Sequence, residues 1–202
     1  MPLGNRPRWA GFGLLLFALL PGCALLQKPP APTPSTDAVR QALYALKTWS
    51  MEGRIGAQTR EDAWQANLHW EHDPAQDRLR ISGPFSQGTV SIVLQKDLIL
   101  INEGQGVAQL SRDPETALRE RLGFNVPLAS LRHWILGLPD PGQQYLPMPM
   151  GDGSISGFRQ LGWTVSLDQF ISVGAHSVPR KLRAQGSGVK LKIIADHWEI
   201  EG

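Results

Sequence analysis

Over most of the chain, apolar and polar residues alternate with period two. Trp49, Met51, Gly53, Ile55 and Ala57 alternate with Ser50, Glu52, Arg54 and Gly56. Trp64, Ala66, Leu68 and Trp70 alternate with Gln65, Asn67, His69 and Glu71. Leu79 and Ile81, then Val90, Ile92 and Leu94, continue the pattern. Successive strand side chains point to opposite faces, so each run carries one apolar face, as in an antiparallel sheet covered on one side. His72-Asp73-Pro74 and Lys96-Asp97 supply turns, and 98–101 and 107–110 read as further strands. Strand patterns return at 155–161, 163–170, 178–185 and 189–194, the last two joined as a hairpin by Gly186-Ser187-Gly188.

Three stretches break this period. Thr36 or Asp37 can cap a helix in which Val39, Leu43 and Leu46 recur at helical spacing. Asp113 followed by Pro114 starts a second helix that Gly123 ends. Leu128, Leu131, Trp134 and Ile135 form the apolar stripe of a third, stopped by Gly137 and Pro139. Residues 139–153 read as a Pro/Met/Gly loop. The expected fold is mainly β with inserted helices: about ten strands by this count, in a one-sided sheet that must curl into an unclosed barrel. The helices are the natural filler of its concave face, and partial filling leaves an apolar cavity. Inward strand positions and the helices nominate Met51, Ile55, Trp64, Leu68, Trp70, Leu79, Ile81, Ile92, Leu118, Leu131, Trp134 and Trp163 as its lining. An ordinary packed β core needs the same inventory, so both readings stay open on pattern alone.

Composition changes the picture at the N-terminus. Arg6 and Arg8 precede about 12 apolar or small residues, too few to span a bilayer and typical of a signal peptide. Leu20-Pro21-Gly22-Cys23 follows and resembles the lipobox of bacterial lipoproteins. That resemblance implies a signal peptide over 1–22, cleavage before Cys23 and acylation of Cys23. Ala24 stands next, where an Asp retains many such proteins in the inner membrane, so the implied address is the periplasmic face of the outer membrane. Residues 23–36 contain four prolines and form a semi-rigid tether, long enough to hold a single domain at 37–202 roughly 30–40 Å from the lipid. Without the leader the chain has 18 basic and 18 acidic residues, which argues against nucleic acid as a partner. Cys23 is the only cysteine, so no internal disulfide or Cys-based metal site exists.

Catalytic motifs are scarce. No P-loop, Gly-x-Gly-x-x-Gly or His-Glu-x-x-His occurs, and Gly153-Ser154-Ile155-Ser156-Gly157 has Ile at the centre where a nucleophile elbow needs Ser. His69 and His72 read as a solvated strand end, His133 as an exposed helix residue. The reading is of a binding protein, not an enzyme, that needs no cofactor or metal.

Leu131-Arg132-His133-Trp134-Ile135-Leu136-Gly137-Leu138-Pro139 is similar to a motif of the outer-membrane lipoprotein receptors of the LolB family. Further resemblances follow in order: Gly83-Pro84-Phe85-Ser86-Gln87-Gly88, Asn125-Val126-Pro127-Leu128, Gly162-Trp163, Val178-Pro179 and residues 191–198. The resemblance implies an unclosed barrel of about eleven strands plugged by helices. It implies a monomer that accepts lipidated cargo from a soluble periplasmic carrier of the LolA type and places it in outer-membrane lipid. It also implies that Phe85 is an exposed apolar side chain working at the membrane. From the residues alone, Phe85 folded under as a loop anchor is the favoured reading, and only the resemblance reverses it. Two other functions fit the same scaffold: a carrier of free lipids, and an envelope assembly factor whose apolar face is wholly filled.

Overall fold

Eleven antiparallel strands form one sheet in the computed structural model, which describes residues 36–83, 88–104, 106–149 and 155–201. The expected signal peptide, Cys23, the tether and Phe85 lie outside the described residues. A helix α1 (Thr36–Tyr44) leads into β1 (Thr48–Gln58), β2 (Ala63–Asp73), β3 (Gln76–Ser82), β4 (Thr89–Gln95), β5 (Leu98–Asn102) and β6 (Gln109–Ser111). Helices α2 (Pro114–Leu122) and α3 (Leu128–Trp134) follow, then β7 (Tyr145–Pro149), β8 (Ile155–Gln160), β9 (Trp163–Val173), β10 (His176–Gly186) and β11 (Val189–Glu201).

The strand order explains the place of the helices. It runs β6-β5-β4-β3-β2-β1-β11-β10-β9-β8-β7, so the first and last strands pair at the centre and β6 and β7 are free edges. The chain leaves one edge and re-enters at the other, and α2 and α3 make that crossing. The sheet is therefore open, with its helices as the link between its two edges.

Two strands differ from the sequence reading. Residues 145–149 form edge strand β7 where a loop was expected, because Pro147 and Pro149 lack only a donor that an edge strand does not use. Leu161 is not the end of β8 but the first residue of a two-residue turn, with φ of 51°. In β11 the buried positions run Val189, Leu191, Ile193 and Ala195, then change phase to Trp198. A bulge opposite Glu52 and Gly53 absorbs the extra residue. Gly53 is required there: a Cβ would lie 2.0 Å from the Ile194 carbonyl oxygen.

Alternate strand positions and one face of each of α2 and α3 bury a single apolar cluster. Trp49 packs against Trp70 and Trp198 with ring centroids 5.6 and 5.5 Å away. Trp134 packs against Trp163 and Phe158 at 6.2 and 6.4 Å.

Two buried polar residues fasten α3 to both halves of the sheet. Asp77 of β3 is 1% exposed. Its Oδ1 accepts from Trp70 Nε1 at 3.1 Å and contacts His72 Nδ1 at 2.9 Å, and its Oδ2 accepts from Arg132 Nη1 at 3.1 Å. His72 thus faces a buried carboxylate and is not a solvated strand end. On the other side Trp134 Nε1 donates to Gln160 Oε1 at 2.8 Å, as does the Asp140 N–H. Gln160 Nε2 donates to the carbonyls of Asp140 and Gln143, so this amide uses all four of its hydrogen-bonding positions. Ser130 Oγ donates to Asp140 Oδ2 at 2.6 Å.

His133 was expected to be exposed but is half-buried, its ring 6.2 Å from that of Tyr44 in α1. Tyr44 in turn donates to the Pro139 carbonyl at 2.7 Å, so α1 lies over the C-terminal end of α3. Burial, reinforced by the Arg132 charge, holds the His133 imidazolium below its ordinary pKa of 6.5.

Two consequences can be measured. Asp77→Ala removes a buried charge that three donors face, and urea unfolding should show a loss of about 3–5 kcal/mol. His133 binds its proton less readily folded than unfolded, so its contribution to stability is complete above pH 6.5 and falls as the pH drops below it. The acid-side slope of melting temperature should flatten in His133→Gln; an unchanged slope would assign that dependence to other groups.

Candidate functional site

The apolar face of β1–β4 and the undersides of α2 and α3 enclose a small cavity. Its floor is Ile55 of β1, Trp64, Leu68 and Trp70 of β2, Leu79 and Ile81 of β3, Ile92 of β4 and Leu191 of β11. Its roof is Leu118 and Leu122 of α2, Phe124 and Val126 of the connection, and Leu128 and Leu131 of α3. Every lining side chain is apolar. The volume is about 50 Å³, against roughly 300–1,000 Å³ for ordinary small-ligand pockets. The helices are therefore down on the sheet, and the space between them is residual.

Nine of the twelve candidate lining residues surround this cavity: Ile55, Trp64, Leu68, Trp70, Leu79, Ile81, Ile92, Leu118 and Leu131. Met51, Trp134 and Trp163 do not. Met51 is fully buried opposite Trp70 and Trp198 in register, and Trp134 and Trp163 pack on each other beside Phe158. Large rings fill those regions and leave no lining surface there. Leu122, Phe124, Val126, Leu128 and Leu191 were not singled out. For Phe124 and Val126 the only local signal was their alternation with Asn125 and Pro127, which looks like a loop, whereas Leu122, Leu128 and Leu191 lay in expected elements whose inward side the sequence could not assign.

The two roof helices are attached differently. Asp113 caps α2 by accepting from the Thr116 N–H at 3.0 Å, and Gly123 ends it with φ of 78°. Beyond its buried Ala117 and Leu118, its polar ties to the strands are at the surface: Arg121 donates to Glu103 Oε1 at 2.8 Å and to Gln109 Oε1 at 2.7 Å. Exposed pairs of this kind contribute about 0–1 kcal/mol. The ties of α3 to Asp77 and Gln160 are part-buried or buried, and loss of either leaves a desolvated polar group. Of the two, α2 is the weaker part of the roof.

Trp64 marks a thin wall. With Leu191 it lines both the inner cavity and an open groove of about 600 Å³ beyond it, where Ala57, Ala63, Thr164, Ala184, Lys190 and Lys192 also lie. Among the described residues, no group of three or more His, Cys, Asp or Glu is placed to hold a metal ion. His69 reaches Glu52 and Glu71 at 3.6 and 3.2 Å.

Comparison with known proteins places this architecture. A sequence profile described as Outer membrane lipoprotein LolB matches residues 47–198. The outer-membrane lipoprotein LolB of Chromohalobacter salexigens is 30% identical over 193 residues, 93% of this chain and 89% of that one. That of Thiobacillus denitrificans is 30% identical over 184 residues, 89% of this chain and 91% of that one. Among solved structures, a LolA superfamily protein from Nitrosomonas europaea shares the fold at a TM-score of 0.51 and 7% identity, over 81% of this chain and 90% of that one. The motif on α3, the open eleven-stranded sheet and these relatives agree: the chain belongs to the LolB family of outer membrane lipoproteins.

Proposed function

We propose that this protein is anchored by lipid on Cys23 to the periplasmic face of the outer membrane, receives lipoproteins from a soluble periplasmic carrier, and passes them into that membrane. The observation that supports it best is the wholly apolar cavity roofed by a lightly held helix. Each acyl CH₂ moved out of water is worth about 0.8 kcal/mol, so a lipidated chain stays hidden only in a site of matching apolarity. A cavity of about 50 Å³ does not take such a chain until the roof rises. Lifting α2 about Gly123 costs one exposed ion pair, the Arg121 hydrogen bonds to Gln109 and the apolar contacts of Ala117, Leu118 and Leu122, which the incoming chain replaces in part. Helix α3 stays, held by Asp77 and Gln160.

No nucleotide or cofactor enters this scheme. Transfer runs downhill when each site holds the acyl chains somewhat more tightly than the last, and a difference of 1.4 kcal/mol already shifts the partition tenfold. Phe85 has a separate job in this reading: it perturbs lipid packing where cargo enters, since a Phe in the edge of a bilayer gains about 1.5–3 kcal/mol.

The deciding experiment is cargo transfer from a loaded carrier to the purified protein. Leu118→Asp puts a charge on the roof and should cut cargo uptake at least tenfold while lowering stability by less than Leu131→Asp, whose helix is pinned. Equal losses of stability and uptake in both variants would mean that no separable cavity exists. Phe85→Glu should accept cargo at the wild-type rate but deliver it slowly to liposomes; wild-type delivery would remove Phe85 from the membrane step.

A further inference from the structure

The turn between β8 and β9 contains a residue that its backbone does not favour. Leu161 and Gly162 are its two central residues, with φ of 51° and 76°. Hairpin turns with two positive φ angles strongly prefer Asn, Asp or Gly, and a bulky apolar residue there is strained. The strain gains nothing inside the fold, because the Leu161 side chain points outward and the residue is 46% exposed. The turn between β10 and β11 satisfies the same geometry with Ser187 and Gly188.

Topology puts this turn in company. Following the register from Ser82 across β2, β1, β11, β10 and β9 shows that the β3–β4 connection, which contains Phe85, leaves from the same end of the sheet as Leu161. Leu146 of β7, 67% exposed, shares one surface depression with Arg159, Leu161 and Gly162. Arg60 and Lys190 line a groove on the neighbouring turns. The turns touch: a Cβ on Gly186 would lie 2.9 Å from the Gly162 carbonyl oxygen. Arg60, Arg159 and Lys190 are exposed, and no ion pair of theirs is found among the described residues. The carboxylates at this end include Glu61 and Asp62, on the β1–β2 turn, Glu103, which Arg121 holds, and Asp140 beside Gln160, which accepts from Ser130 Oγ and the Gly142 N–H.

We propose that Leu161, with Leu146 beside it and Arg159 and Lys190 flanking, is a second membrane-touching tip that seats this end of the sheet on an anionic lipid surface. It rests on the receptor reading above and adds to it. An apolar side chain held outward against its backbone preference, with Arg159 beside it and Arg60 and Lys190 on neighbouring turns, suits an interface where one layer is apolar and the next carries phosphate. Two tips on one end also fix orientation, which a single loop cannot do. The thin wall at Trp64 then faces the same side as the acceptor membrane, since Trp64 and Lys190 border one groove.

The test uses the lipidated mature protein, in which acylation occupies the only native thiol. Leu161→Cys carries an environment-sensitive fluorophore, and Ala75→Cys, on the β2–β3 turn at the opposite end, is the control. In vesicles of phosphatidylethanolamine and phosphatidylglycerol containing brominated lipid, the label at 161 should blue-shift and be quenched while that at 75 is not. The contrast should shrink several-fold in phosphatidylcholine or with Lys190→Glu. Equal quenching at both ends, or none at 161, refutes the tip. Leu161→Asn relieves the backbone, so its melting temperature should be no lower than wild type, its cargo uptake unchanged and its delivery to vesicles several-fold slower. Wild-type delivery would again refute the tip. Slowed uptake with normal delivery would make this surface a carrier-docking face and refute it too. Wild-type protein that took no cargo at all would sink the receptor reading alone, because the quenching contrast decides the tip separately.

Discussion

An open sheet with one apolar face has to be covered, and here the cover must also join two free edges. Helix α3 meets both demands because two buried polar residues grip it from opposite sides. Asp77 takes Arg132 on the β3 side, and Gln160 takes Trp134 on the β8 side. Each grip is fully satisfied by hydrogen bonds, which is the condition for a buried polar group to order a structure instead of destabilising it. Arg132 and Trp134 lie two residues apart in the motif that carries the family resemblance, so that motif is the fastening of the lid to the barrel.

This fastening makes the roof asymmetric. With α3 pinned by buried polar groups, α2 is held by one exposed ion pair, hydrogen bonds to Gln109 and its buried Ala117 and Leu118, and it ends at Gly123. Under the proposed function, apolar walls would accept any acyl chain, since nothing in the cavity selects by hydrogen bonding. Specificity on this view comes from the path in and out, from the carrier on one side and the membrane on the other, not from the pocket itself.

The end of the sheet that bears the β3–β4 connection also bears a backbone strained around Leu161 and exposed cations, Arg60, Arg159 and Lys190, that form no ion pair among the described residues. A local departure from turn preference without internal compensation is where selection for something other than folding shows. At the opposite end Asp73 caps its own hairpin by accepting from the Ala75 and Gln76 N–H groups, and the positive φ of 51° in the β4–β5 turn falls on the polar Lys96.

Much of this was legible in residues alone. Period-two alternation determined ten of the strands, the caps Asp113 and Gly123 determined α2, and the open barrel followed from a long one-sided sheet. These are local properties: each depends on residues within one turn or one strand. Edge strand β7 was hidden because its prolines look like a loop until one knows that its outer side pairs with nothing. Which apolar residues line the cavity and which are solid core was not legible, because Trp70 and Met51 have the same pattern and differ only in what the helices place above them. The roles of His72 and His133 were missed for the same reason. The carboxylate that His72 meets is in the next strand, and the ring that covers His133 belongs to a helix more than eighty residues earlier in the chain. Sequence by itself determined most of the elements and the family. Tertiary structure alone decided the void, because it arises from the distance between two surfaces that no local stretch of chain contains.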